Sequence, residues 1–127
     1  AGGKITGTVM TPTVLESNNL NFKLCTEEAF APIVVIITYR DFEEALQLIN
    51  SSRYGLQTGV FTNNQKLIDR AFEELEVGGV IINNVSGFRA DQMPYGGVKD
   101  SGLGREGPRY AAEEMTELKV LVINNSV

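Results

Sequence analysis

The chain has 127 residues, 43% of them hydrophobic, which is enough for one domain with a core. Its net charge is −5 and its 11 Lys and Arg residues are scattered, which argues against a nucleic-acid-binding face; no apolar run reaches the length of a membrane span, and no signal-peptide pattern is present. A single Cys excludes an internal disulfide and fits a reducing, cytoplasmic setting, while the absence of His removes the commonest general base and zinc ligand, so no metal site is expected.

The chain starts at Ala and runs directly into Gly2-Gly3, which suggests a piece of a longer polypeptide. Residues 1–32 show little periodicity. Thr8-Val9-Met10 and Thr13-Val14-Leu15 read as short strands broken by Pro12. Phe22 to Glu28 is expected to hold one helical turn, ended by the extended backbone that Pro32 imposes on Ala31. Ile33 to Ile37 is a β-branched run of the kind found in strands covered on both faces. Asp41 with Glu44 makes a capping-box signal, and Phe42, Ala45, Leu46 and Ile49 form one helical face, with Gly55 expected to close the helix through a left-handed cap. Thr58 to Phe61 is the next strand. Thr62 or Asn63 should cap a second helix that buries Leu67, Ile68, Ala71, Phe72 and Leu75, and Gly78-Gly79 ends it before the strand Val80-Ile81-Ile82. Strand, helix, strand, helix, strand at this spacing predicts a βαβαβ unit with right-handed crossovers and a mainly parallel sheet. Residues 83–107 are expected as loop, Pro108 opens a helix with Tyr110, Ala111 and Met115 on its apolar side, and Leu118 to Ile123 is a final strand.

Five of the chain's 13 glycines lie between Met93 and Gly107. Glycine at that density gives up chain entropy on ordering, so an ordered loop there needs close backbone approach or positive φ. Within it, Gly102 to Gly107 spells G-x-G-x-x-G, but the dinucleotide fingerprint requires a hydrophobic strand just before the first glycine, and none precedes it. In open parallel sheets ligands bind beyond the carboxyl ends of strands, which is where Asn83 falls; Asn also serves simply to turn a chain. Cys25 has neither a His nor a neighbouring Arg to activate it and reads as a small buried hydrophobe. The pairs Glu43-Glu44, Glu73-Glu74 and Glu113-Glu114 read as solvated helix faces. Glu27-Glu28 stands beside Phe30 at the edge of the first buried strand, either as a placed carboxylate or as a surface charge.

Taken together, Gly2-Gly3, Pro12 to Leu15, Glu27 to Pro32, Tyr54-Gly55-Leu56, Gly59 to Thr62, Ile82-Asn83, Pro94 to Lys99, Ser101 to Gly107 and Glu114 to Lys119 resemble the C-terminal part of the NAD(P)-dependent aldehyde dehydrogenase superfamily. The resemblance runs through essentially the whole chain. It implies an α/β fold, a fragment of that family's catalytic domain over residues 1–117, and an oligomerisation strand and tail over 118–127 that joins a homodimer or tetramer. It implies NAD or NADP as cofactor, with Glu28 accepting from the nicotinamide ribose hydroxyls and Phe30 packing near the nicotinamide. The glycine usual before the proline is Ala31 here. Asn83 corresponds to the asparagine behind the active site, and Phe88 and Tyr95 fall on the loop lining the aldehyde pocket, where Phe is commoner than Tyr at the latter position. The family's Cys nucleophile and Glu base lie upstream of anything present here, so no catalytic residue is expected in this chain and the chain alone is expected to be inactive. Phe88 to Tyr95 resembles members acting on small oxygenated or anionic aldehydes, such as lactaldehyde-, glyceraldehyde-phosphate- or phosphonoacetaldehyde-like substrates. Arg89 then either meets a substrate anion or pairs with Asp91 at the rim. The other reading of the residues is a non-enzymatic α/β module binding a nucleotide or a protein through the glycine loop.

Overall fold

The computed structural model describes residues 1–125, and the chain divides into two compact units, Ala1–Arg53 and Tyr54–Val127.

In the first unit, β1 (Ile5–Thr6) and β2 (Val9–Met10) form a small antiparallel hairpin. β3 (Thr13–Glu16) lies parallel to β4 (Ile33–Ile36), with Thr13 opposite Ile33 and Glu16 opposite Ile36, and the single turn α1 (Lys23–Thr26) lies between them in the chain. Thr13 is buried with its hydroxyl satisfied, accepting from the Gly3 N–H at 2.8 Å and donating to the Thr11 carbonyl at 2.9 Å. α2 (Phe42–Asn50) begins as its capping signal predicts. Asp41 Oδ1 accepts from the Glu44 N–H at 2.9 Å, and Glu44 reaches back one residue further than a capping box requires, to the Arg40 N–H at 2.6 Å. Leu46 is buried on the expected face.

In the second unit, β5 (Tyr54–Gly55) pairs antiparallel with β8 (Val98–Lys99), and β6 (Gln57–Val60) runs parallel to β7 (Gly79–Ile82), the two joined through α3 (Gln65–Glu74). Ala71 and Leu75 are the buried apolar residues of α3 and its C-cap. α4 (Pro108–Glu114) starts with Pro108 in its first turn, as expected.

Several expectations are corrected. The strands anticipated at 33–37, 58–61 and 80–82 all exist, but among the described residues they fall in separate two-stranded ladders, β4 with β3 and β6 with β7. β4 is not covered on both faces: Val34 and Ile36 are exposed while Ile33 and Val35 are half-buried, because successive side chains point to opposite faces and only one of those faces is packed against. Gly55 is not a helix cap. It lies in β5, and its Cα faces the Glu76 carbonyl so closely that a Cβ would stand 2.5 Å from that oxygen. α3 is capped one residue later than predicted, by Asn64 Oδ1 accepting from the Lys66 N–H, while Thr62 Oγ1 accepts from the Asn64 N–H; the helix ends before Gly78-Gly79. Phe72 is 77% exposed, not buried: it stands one residue past Ala71, off the stripe that meets the sheet. Leu118 to Ile123 forms no ladder with any described residue and its apolar side chains are exposed, since a strand needs a partner edge and none is offered there; residues 126 and 127 lie outside the described residues. No helix is long and apolar enough to cross a membrane among the described residues.

Candidate active site

β6 and β7 run in the same direction and in register, Val60 opposite Ile82, so their carboxyl ends finish side by side. Asn83 is the next residue. It adopts φ 56°, one of two non-glycine residues with positive φ among those described, and its N–H donates to the Val60 carbonyl at 2.8 Å. Its side chain spans the two strand tips: Oδ1 accepts from the Thr62 N–H at 2.9 Å and Nδ2 donates to Asn63 Oδ1 at 3.1 Å. Both readings of Asn83 thus meet in one residue, which turns the chain and also sits beyond the carboxyl end of a parallel strand.

The loop leaving Asn83 is tied to β6 by a residue that sequence reasoning missed. Gln57 Nε2 donates to the Ser86 carbonyl at 2.6 Å and the Phe88 carbonyl at 3.1 Å, while its buried Oε1 has no partner among the described residues. The available signal was a polar side chain immediately before the strand expected from Thr58 to Phe61. Phe88 is exposed. Arg89 places its guanidinium over the Tyr95 ring, 4.6 Å from the centroid, and donates from Nη2 to Glu106 Oε2 at 2.6 Å. The rim partner is therefore Glu106 and not Asp91. Tyr95 and Glu106 also exchange backbone hydrogen bonds, Tyr95 N–H to the Glu106 carbonyl at 3.1 Å and Glu106 N–H to the Tyr95 carbonyl at 2.6 Å. Glu106 is a second member of this cluster that the sequence did not disclose, since 17 positions separate it from Arg89.

The glycine loop is ordered for the reasons its composition requires. Gly102, Gly104 and Gly107 have positive φ, and a Cβ on Gly97 would stand 2.4 Å from the Ser101 side chain. Arg105 Nη1 donates to the Gly97 and Gly104 carbonyls at 2.9 and 2.7 Å, and Ser101 Oγ accepts from the Gly55 N–H at 2.9 Å. Between this loop and α4 lies a cleft of about 680 Å³, with Tyr95, Gly97, Arg105 and Glu106 among its walls. The residues before Gly102 are a two-residue strand and a turn, so the G-x-G-x-x-G run lacks the strand a dinucleotide fingerprint needs.

In the first unit, Glu28 and Phe30 lie on the short segment between α1 and β4, which is kinked by hydrogen bonds from the Ala31 N–H to the Ala29 carbonyl and from the Ile33 N–H to the Ala31 carbonyl. Phe30 is 95% exposed, and the Glu28 carboxylate has no hydrogen-bond or ion-pair partner among the described residues. Cys25 is half-buried, not fully buried, because α1 is a single turn at the edge of its unit; it lines an apolar cleft with Leu20, Ile37, Leu48 and Ile49. The paired glutamates on the helices are surface groups, as expected. Glu44, Glu74 and Glu113 each pair with an Arg one turn earlier, and hydrogen bonds from Arg40 and Arg70 hold Glu44 and Glu74 below the ordinary carboxylate value.

The family model described as the aldehyde dehydrogenase family matches residues 1–121. A 3-sulfolactaldehyde dehydrogenase of Priestia aryabhattai is 49% identical over 123 residues, 97% of this chain and 26% of that protein. The crystal structure of aldehyde dehydrogenase 21 from Physcomitrella patens, in complex with the reaction product succinate, superposes with a TM-score of 0.95 at 45% identity, covering 99% of this chain and 26% of that one. That of a glyceraldehyde-3-phosphate dehydrogenase from Methanocaldococcus jannaschii complexed with NADP gives 0.87 at 46% identity, covering 94% and 26%. The chain thus spans about a quarter of the length of the relatives it matches. With a matching family model over nearly its whole length, the chain belongs to the aldehyde dehydrogenase family.

Proposed function

We propose that these residues form the C-terminal part of an NAD(P)-dependent aldehyde dehydrogenase, which oxidises a small oxygenated or anionic aldehyde to the carboxylic acid through a Cys thioester. The nucleophilic Cys is supplied by polypeptide outside the 127 residues. Residues 1–117 belong to the catalytic domain and 118–127 are the oligomerisation strand and tail. One observation carries the substrate reading: an arginine with N–H groups to spare is held, braced on an aromatic ring, on the loop beyond the carboxyl end of a parallel strand. Its planar fork suits a carboxylate, sulfonate or phosphate group. The names of the relatives support this, since sulfolactaldehyde and glyceraldehyde 3-phosphate are anionic and succinate is the product of an anionic aldehyde.

The donor set of the first unit fits the cofactor. Glu28 offers the ribose hydroxyls an acceptor with no competing partner among the described residues, and the exposed Phe30 offers an apolar face to the nicotinamide. The bound dinucleotide supplies hydride acceptance. Asn83 holds the strand tips beneath the pocket, Phe88 and Tyr95 line it, and Arg89 orients the substrate's charged end. The exposed run Leu118 to Ile123 supports the oligomer reading, because an apolar run with no strand partner among the described residues is a template for a strand of a second copy.

The test compares sulfoacetaldehyde with acetaldehyde in the full polypeptide. Arg89→Ala should lower kcat/KM for the sulfonate by roughly 10- to 100-fold, the worth of a charge-assisted hydrogen bond, with the neutral aldehyde changed by less than about threefold. Equal losses for both would remove Arg89 from substrate recognition. The isolated 127-residue chain should give no aldehyde-dependent reduction of NAD; turnover by it would place the nucleophile within these residues.

A further inference from the structure

We propose that Glu106 sets which anionic aldehydes the Arg89 site accepts, by making it favour singly charged head groups over doubly charged ones. The proposal rests on the reading of Arg89 as the substrate-anion residue. Glu106 Oε2 is 2.6 Å from Arg89 Nη2, so the pair presents a guanidinium edge whose charge is already balanced. The remaining N–H donors of Arg89 have no partner among the described residues, and they keep the geometry to hold one oxyanion.

The Arg89 guanidinium is stacked on Tyr95, and the Glu106 backbone is fixed to Tyr95 by two hydrogen bonds, between Gly104 and Gly107 at positive φ. The neighbouring cation in that loop, Arg105, spends its Nη1 on two carbonyl oxygens, and Lys99 is paired with Glu76. The side chains of Arg89 and Glu106 are 47% and 62% exposed, so the interaction is screened and its effect is moderate.

An anion held on the free edge of the guanidinium stands roughly 7 Å from the Glu106 carboxylate, where each added unit of negative charge meets a repulsion worth about three- to sevenfold at an effective dielectric of about 40 to 80. The first charge of the substrate is compensated by the hydrogen bonds it makes to Arg89. A second charge makes no further bond there and faces a pair of net charge zero, so the attraction of Arg89 for it is offset by the repulsion of Glu106.

The experiment uses the full polypeptide with sulfoacetaldehyde and phosphonoacetaldehyde, which are close in size but differ by one charge at a pH of about 8, above a second phosphoryl-type ionisation near 6. Glu106→Gln should raise the ratio of kcat/KM for phosphonoacetaldehyde over sulfoacetaldehyde by about three- to sevenfold, whatever happens to the absolute rates, and Glu106→Asp should leave that ratio within about twofold of the parent. A ratio that stays the same or falls in Glu106→Gln overturns the proposal. If that variant does not fold, the parent enzyme oxidising acetaldehyde serves instead, with methylphosphonate as inhibitor. Inhibition should weaken relative to methanesulfonate as the pH rises and the second charge forms, and inhibition that strengthens overturns the proposal. The underlying reading fails separately: if Arg89→Ala leaves the preference for sulfoacetaldehyde over acetaldehyde intact, it is Arg89 that falls. If that preference is lost while the Glu106→Gln ratio stays flat, only the role of Glu106 falls.

Discussion

Gly78 is the position where a single methyl group should do most damage. A Cβ there would lie 1.7 Å from the Gly96 carbonyl oxygen, 2.8 Å from its carbon and 3.0 Å from the Leu56 oxygen, all of them backbone atoms. Ordinary contact begins at 3.4 Å, so the Gly78 and Gly96 backbones must part by about 1.7 Å. Two hydrogen bonds are carried on the same stretch, Gly78 N–H to the Gly55 carbonyl and Gly79 N–H to the Leu56 carbonyl. Overpacking costs about 1–3 kcal/mol and each strained backbone bond about 1 kcal/mol, which places Gly78→Ala at roughly 3–5 kcal/mol of local destabilisation. Native-state hydrogen exchange in the full polypeptide reads this directly. The amides at 78 and 79 should lose protection by about a hundredfold or more. Gly87→Ala is the control: nothing lies within 4 Å of a Cβ there and its φ is ordinary, so protection should be unchanged within about threefold. Equal behaviour of the two variants would refute the steric argument.

Glu44 provides a prediction on pH. Its carboxyl is held below 4.5, first by the Arg40 backbone N–H and then by the Arg40 side chain. A depressed carboxyl contributes stability above its unfolded value and loses it as the pH falls through the lower folded value. In Arg40→Ala the backbone bond remains, so a residue-resolved titration should still find Glu44 below the ordinary value; a return to 4.5 would show that the side chain alone was responsible. On the C-terminal run, Leu121→Lys should shift the full polypeptide towards smaller assemblies in sedimentation, because it sets a charge on the apolar edge; an unchanged sedimentation coefficient would mean that the run does not carry the subunit contact.

The helices were legible because their signals are local. Asp41 caps α2 as its spacing with Glu44 indicates, and Leu46, Ala71 and Leu75 are buried where the helical period puts them. What failed was whatever depends on partners distant in the chain. Nothing at Gly55 announces the Glu76 carbonyl pressing against it, and the β-branched run of β4 cannot tell which strand will pair with it. The same holds within the candidate site. The place of Asn83 after an apolar strand was legible, whereas the Arg89–Glu106 pair joins two loops whose approach only the folded chain reveals. The density of glycine between Met93 and Gly107 foretold positive φ and close contact correctly, because both are requirements on the backbone itself.

The amide of Asn83 fastens the ends of β6 and β7 to each other before the loop begins, and Gln57 and the close seat of Asn84 on Gly59 hold the first residues of that loop down. The segment beyond therefore departs from a fixed socket. Exposed side chains from Val85 to Asp91 can be exchanged like bits in a chuck, changing what the lip grips without disturbing the shaft beneath.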